Sequence, residues 1–320
     1  MTQRKPGQSA EHLRLLENAS KEVPIERWGS YLSDRQWGTV REDYSASGDP
    51  WSFLTHDHAR SKAYRWSEDG LGGICDRGQF ICFAFAFWNG KDPILKERLF
   101  GLTNQEGNHG EDCKELYYFL DNLPTHSYMK FLYKYPQREF PYADLVQTNA
   151  ARSKLEKEYE LLDTGIFDEG KYFDITIEYA KSGPEDICIK LTIKNHSTEA
   201  APITILPTVW FRNTWQVRPN ARRPVITIPD GNDVNAAVID HQVIGKYHFY
   251  FDDAASRNLF TENESNTQRL YNQPNDHPYK KDAFHEVIVG GNSSLLEGKT
   301  SGTKFAPMYE LEVAGSDTRE

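Results

Sequence analysis

The sequence predicts an all-β fold: a large antiparallel β-sandwich with a short N-terminal helix and one long polar excursion. Three observations carry this. Period-two alternation dominates the chain, as in Phe83-Ala84-Phe85-Ala86-Phe87, where three rings point one way and two alanines the other. Turn-forming clusters separate the alternating runs. Aromatic residues make up 13% of the 320, enough buried surface to exclude a disordered chain.

Taken in order, residues 10–20 space Leu13 and Leu16 helically and predict a short helix within an N-terminal segment, 1–25. The sandwich then runs over 26–320. Residues 80–88 form the longest apolar run, of strand length. Residues 136–160 are polar with little strand pattern, an excursion carrying a short helix with Asn149 or Ser153 as a cap. Three further runs alternate: Phe173, Ile175, Ile177 and Tyr179; Ile187, Ile189, Leu191 and Ile193; Tyr247, Phe249 and Phe251. One packed face and one wet face favours antiparallel sheets over a parallel α/β core. Turn signals stand at 182–186, 195–197, 229–232 and 290–292, and their spacing suits a large sandwich.

Charge and targeting signals narrow the function. The net charge is −10, with 37 basic against 47 acidic residues and no basic cluster, which argues against nucleic acid or an anionic membrane as partner. The first twenty residues carry no signal-peptide pattern, and no run approaches the roughly 20 apolar residues of a membrane span. Cys75, Cys82, Cys113 and Cys188 are scattered, so reduced buried thiols are expected in a cytoplasmic protein, and the sequons at Asn195 and Asn292 read as chance matches. GxGxxG, Walker, HExxH and GxSxG motifs are missing. Gly70-Leu71-Gly72-Gly73 fails the dinucleotide spacing and reads as a turn between strands. No cofactor and no metal is expected. His109, Glu111, Asp112 and Glu115 fit neither an EF-hand nor a zinc spacing, and His56-Asp57-His58 reads as a loop making local hydrogen bonds.

Two polar constellations remain. The first gathers Trp28, Tyr31, Arg35, Gln36, Trp37, Arg41, Glu42, Asp43 and Tyr44 in a stretch with no helix or strand period. Such a loop binds sugar, with rings stacked on pyranose C–H groups and polar side chains on hydroxyls; equally, it packs Trp28 and Trp37 into the core and pairs Arg41 with Asp43. The second joins Trp88 and Asn89 to Asn108, His109, Glu111 and Asp112. Asp43, Asp57 or Glu111 could serve as a glycosidase acid, a role that needs a second carboxyl about 6.5–9.5 Å away for inversion.

The run ERWGSYLSDRQWGTVREDY (26–44) resembles the N-terminal region of bacterial proteins related to glycoside hydrolase family 63, a group that includes processing α-glucosidase I and the mannosylglycerate and glucosylglycerate hydrolases. Similar stretches are HDHARSKAYRWSEDGLGG (56–73), FAFWNGKDPILKERLFGLTNQEGNHGEDCKE (85–115), PTHSYMKFLYKYPQ (124–137), YELLDTGIFDEGKYFD (159–174), LPTVWFRNTW (206–215), KDAFHEVIVGG (281–291) and SGTKFAPMYELEV (301–313). The resemblance implies an N-terminal super-sandwich joined to a C-terminal (α/α)6 barrel, inverting chemistry, and an acid and base that belong to the barrel. No amphipathic helical run for a barrel follows here, so the expectation is an N-terminal piece ending just before the sandwich's last strand.

On that basis no catalytic residue is carried over. The leading expectation is a sandwich domain of an inverting α-glycosidase. It packs on a catalytic (α/α)6 domain, in the same or a separate chain, and helps shape a pocket for an α-glucoside or glycosylglycerate. The Gly29–Tyr44 and Asn104–Glu115 loops are expected to face that barrel's open end. The alternatives are a stand-alone carbohydrate-binding module with Trp28, Trp37, Trp51 or Trp88 as its platform, and a self-sufficient hydrolase using this chain's carboxylates.

Overall fold

The computed structural model describes residues 9–32, 56–63, 70–98, 115–217, 221–229 and 235–320. Fifteen strands are present among them. They are β1 (Trp28–Gly29), β2 (Leu71–Asp76), β3 (Ile81–Trp88), β4 (Leu116–Asn122), β5 (Tyr128–Pro136), β6 (Tyr172–Lys181), β7 (Ile187–Asn195) and β8 (Ala201–Phe211). After these come β9 (Val225–Thr227), β10 (Ala236–His241), β11 (Gly245–Tyr250), β12 (Arg257–Thr261), β13 (Ser301–Gly302), β14 (Lys304–Val313) and β15 (Thr318–Arg319). The helices are short: α1 (Ala10–Ala19), α2 (His56–Ala59), α3 (Tyr142–Ala151), α4 (Thr267–Tyr271) and α5 (Ala283–Ile288). No helix among the described residues is long and apolar enough to cross a membrane.

The fold class is the expected one, all-β, in three antiparallel sheets. A six-stranded sheet runs β1-β2-β3-β8-β14-β12, a five-stranded sheet β15-β7-β6-β5-β4, and a four-stranded sheet β11-β10-β9-β13. Alternation in β3 aims Phe83, Phe85 and Phe87 into the main core. There Phe83 meets Tyr179 of the five-stranded sheet at 6.2 Å and Phe249 of the four-stranded sheet at 5.4 Å, both edge-on. The six-stranded sheet is thus the common wall on which both other sheets pack. In the facing layer, β5 and β6 contribute Met129, Phe131, Tyr133, Tyr135, Phe173, Ile175, Ile177 and Tyr179, all at 0% exposure. Their outer faces are polar, as alternation predicts: Lys134 pairs with Asp174 across the two strands at 2.6 Å.

The N-terminal helix also forms where expected. Ser9 caps it by accepting from His12 N at 3.1 Å. Glu11 binds it to the β4–β5 hairpin, accepting from Thr125 N (2.8 Å), Thr125 Oγ1 (2.7 Å) and Ser127 Oγ (3.1 Å).

Several local expectations are corrected. Leu71, Gly72 and Gly73 belong to β2 and are not a turn; positive φ at Gly70 (102°) and Gly72 (62°) serves a bulge between Leu71 and Ile74, and a Cβ at Gly72 would stand 2.7 Å from Ile177 Cδ1. The excursion does carry a helix, α3, but neither expected cap sits at its start. Asn149 lies inside it and bonds both backbone groups of Tyr159 (2.8 and 3.0 Å), while Ser153 follows the helix. His56–His58 is a helical turn, α2, where a loop was expected. Residues 290–292 follow α5 and do not divide two strands. The turn at 229–232 extends beyond the described residues. Finally, β3 is not wet on its alanine face: Ala84 and Ala86 are as buried as the rings.

Phe131 is fully buried in the main core, edge-on to Tyr179 of the adjacent strand at 6.1 Å. Replacing it with alanine leaves a cavity that the rigid strands cannot close, so Phe131→Ala is expected to lower unfolding free energy by about 3–5 kcal/mol in urea titration.

Candidate functional site

Because β3 alternates ring and alanine, the outer face of the six-stranded sheet begins as a floor of small side chains, Ala84 and Ala86. Beside them β8 adds Leu206, Thr208 and Trp210, and β14 adds Lys304, Ala306 and Met308. Helix α5 closes part of this face with Phe284 and Val287. The rest is covered by charged residues, and burial forces each charge to find a counter-charge or a full set of hydrogen bonds.

The pairs are specific and span the whole chain. Lys304 Nζ donates to Glu97 Oε2 at 2.9 Å, both side chains buried and 207 residues apart. Lys281 donates to the carbonyl of Lys62 at 2.6 Å, and Ser61 Oγ donates to Asp282 Oδ2 at 2.6 Å. Lys96 pairs with Glu115 at 2.6 Å, with both side chains 2% exposed, and Tyr133 and Tyr142 donate to the same carboxylate. Burial, reinforced by Glu115, pushes both phenols well above their usual range, so they remain donors. Between Ala84, Ala86, Thr208, Trp210, Glu97 and Lys304 lies a cavity of about 10 Å³, room for about one water. Glu97 Oε1 and Trp210 Nε1 are buried without a hydrogen-bond partner among the described residues.

A second cluster lies at the β12 end of the sheet. Glu264 accepts from Trp215 Nε1 (3.0 Å), Lys280 (3.1 Å) and His277 Nε2 (3.0 Å), and Arg223 joins it to Glu262 at 3.0 and 2.7 Å. Burial alone would raise Glu264, but these donors hold its carboxyl below the usual range. Glu264, Asp276 and His277 converge as metal ligands do. The Lys280 ammonium, hydrogen-bonded to Glu264 and Asp276 and 3.4 Å from His277 Nε2, already fills the place of a cation.

The sequence-predicted residues are divided among separate surroundings. Trp28 is core, 6% exposed, with its ring 5.7 Å from Tyr247. Tyr31 donates to the carbonyl of Glu26 at 2.6 Å and sets its ring against His126. Trp88 donates from Nε1 to the carbonyl of Asp92 at 2.9 Å, and Asn89 is buried, donating to the carbonyls of Pro136 and Arg138 (2.8 Å each) and accepting from Lys91 and Asp92. Asn89 thus ties the end of β3 to the excursion, and the half-buried Trp88 closes the turn that follows β3. Asp57 is exposed and gripped by Arg269 at 2.7 and 2.9 Å; burial would raise it, but Arg269 and Arg60 hold it below the usual carboxylate range, the opposite of what a general acid needs. Arg35, Gln36, Trp37, Arg41, Glu42, Asp43, Tyr44, Asn108, His109, Glu111 and Asp112 lie outside the described residues.

Sequence reading missed Glu97, Lys304, Lys281, Asp282, Glu262 and Glu264. Alternation gave no signal for them: Lys304 precedes the core residue Phe305, where period two calls for a polar side chain. Glu97, Glu115, Glu262 and Glu264 each pair with a lysine or arginine, and Asp282 accepts from Ser61 and Asn266. Among the described carboxylates Asp76 is raised, by burial, yet its oxygens accept from Gly78 N (2.7 Å) and Ile81 N (2.8 Å) and close the β2–β3 hairpin.

No protein-family model matches the chain, and no solved structure matches it. The chain is 41% identical over 336 residues to the uncharacterized protein YMR196W of Saccharomyces cerevisiae. That similarity takes in 95% of the chain but 31% of the yeast protein, so the chain spans about a third of the length of this relative.

Two outcomes are expected of this layer. Lys96→Met removes the lysine from the buried pair with Glu115 and should cost about 3–5 kcal/mol in chemical denaturation, most of it recovered by adding Glu115→Gln. His285 accepts from Leu95 N at Nδ1 (3.3 Å), and burial, then Arg60, pushes it down to about 4. Since the unfolded imidazole protonates near 6.5, stability is unaffected above that pH and falls as pH drops towards 4, by about 2 kcal/mol at pH 5. Burial, then Lys96 and Arg98, push His56 down to about 3, so it adds a slope of the same sign. Melting curves from pH 7 to pH 5 should show both, and His285→Leu should reduce the loss by about 2 kcal/mol at pH 5.

Proposed function

We propose that this chain is the sandwich module of a family-63-like α-glycosidase, which supports a catalytic helical module and does not turn over sugar by itself. The observation that carries this reading is that the buried carboxylates Glu97, Glu115 and Glu264 and the exposed Asp57 each pair with lysine or arginine, and that the cavity beside Glu97 has room for about one water. Asp57 and Glu264 are held below the usual carboxylate range, and a one-water cavity lacks the room that glycoside hydrolysis needs. Burial of Trp28 and the structural bond of Trp88 likewise weigh against a stand-alone sugar-binding platform built on those two rings. Two facts favour a module within a larger protein. A relative sharing 41% identity continues far beyond the matched third. Strand β4, at the margin of the five-stranded sheet, exposes Tyr118, Phe119 and Leu120 in a row, an apolar edge suited to another domain. In this reading the protein is cytoplasmic and its sugar is an α-glucoside or a glycosylglycerate.

The test is turnover of aryl α-glucosides and glycosylglycerates by the purified chain, alone and fused to the remaining two thirds of the yeast relative. The chain alone is expected to release no sugar, and the fusion to release it. Hydrolysis by the isolated chain would overturn the proposal, as would an inactive but folded fusion. Heat on titration with millimolar maltose-type oligosaccharides would favour a sugar-binding module instead.

A further inference from the structure

The β2–β3 hairpin carries two thiols at one rung of its ladder. Cys75 and Cys82 are direct cross-strand partners, next to the pair Ile74–Phe83. Both are at 0% exposure, in a small cluster with Leu32, Ala84 and Trp210 on the outer face of the six-stranded sheet. Directly opposed residues of an antiparallel pair have Cα atoms about 4.5–5.5 Å apart, inside the roughly 4.4–6.8 Å that a disulfide spans. Opposed side chains also leave on the same face, so the two Cβ–Sγ bonds point to common ground. Asp76 fixes the rung from the turn side by accepting from Gly78 N and Ile81 N, and the bulge at Gly72 adds local twist on the other side.

We propose that Cys75 and Cys82 are a dithiol site that a peroxide converts to a cross-strand disulfide, covalently closing the β2–β3 hairpin. The chemistry balances. One thiolate attacks the peroxide oxygen, breaking the O–O bond to give a sulfenic acid and, with the proton released, one water. The second thiol attacks that sulfur, forms the S–S bond and expels a second water. Two thiols lose one electron each, and the peroxide accepts both.

The surroundings set the rate. Burial pushes the Cys75 thiol up, and the neighbouring Cys82 adds to this, so the reactive thiolate forms only when the hairpin opens. Cys188, exposed on β7 in the five-stranded sheet, has no such barrier and serves as an internal clock. The site is therefore slow to oxidise but specific, since the register presents each thiol with one partner.

The experiment uses the full chain, folded, treated with hydrogen peroxide, then denatured, alkylated with iodoacetamide and peptide-mapped. The expected product is a Cys75–Cys82 linked peptide two mass units below the dithiol form, appearing after Cys188 has reacted and reversed by dithiothreitol. In Cys75→Ala the linked peptide should vanish, and Cys82 should remain alkylatable or pass to a higher acid. If both residues still take up iodoacetamide once Cys188 is fully oxidised, the proposal fails. It fails equally if either one is found bonded to Cys113 or Cys188.

Discussion

The structure depends on one constraint: the middle of the six-stranded sheet, where β2 and β3 adjoin Ile205–Phe211 of β8 and Lys304–Met308 of β14, is buried on both faces. One face holds the rings of β3 against two other sheets, and the other, floored by Ala84 and Ala86, lies under α5 and a layer of charged residues. A strand with one wet face can carry charges at no cost. A strand buried twice cannot, and every ion above it must be matched in place. From this follow the long-range pairs Glu97–Lys304 and Glu115–Lys96, the backbone-satisfied Lys281, and the four-donor environment of Glu264.

These pairs do two physical jobs. They make the covering segments specific, because a charged pair tolerates one geometry where apolar packing tolerates several. They also set the chemistry. A carboxylate held by ammonium or guanidinium stays ionised and accepts hydrogen bonds, while an acid catalyst must hold its proton near neutral pH. The layer therefore reads as architecture that rigidifies one side of a sandwich, while β4 leaves Tyr118, Phe119 and Leu120 exposed in a row at the margin of the five-stranded sheet.

Much of the fold was legible. Alternation alone located β3, β6, β7 and most of β11, since period two is a local property that a half-buried strand imposes on its own residues. The N-terminal helix was legible for the same reason. Failures came where a local signal had a distant cause. Gly70–Gly73 looks like a turn by composition, yet its glycines relieve close contacts with Ala84 and Ile177 inside a bulged strand. Trp88 and Asn89 look like a sugar contact because tryptophan and asparagine are what such sites use. Their partners show otherwise: Trp88 closes the turn after β3 on Asp92, and the carbonyls of Pro136 and Arg138 tie Asn89 to the excursion.

By itself, then, the sequence determined the all-β class, the strands β3, β6, β7 and most of β11, and which side of each of these carries rings, because those depend on neighbours two residues away. It also supplied the charges of the outer layer without saying that they would be buried. Only the tertiary structure decided which lysine meets which glutamate, that the alanine face is dry, and that Cys75 stands opposite Cys82. Each of these depends on contacts between segments that pattern reading cannot join. Register sets the thiol pair, and the covering of a second face turns exposed ions into buried pairs.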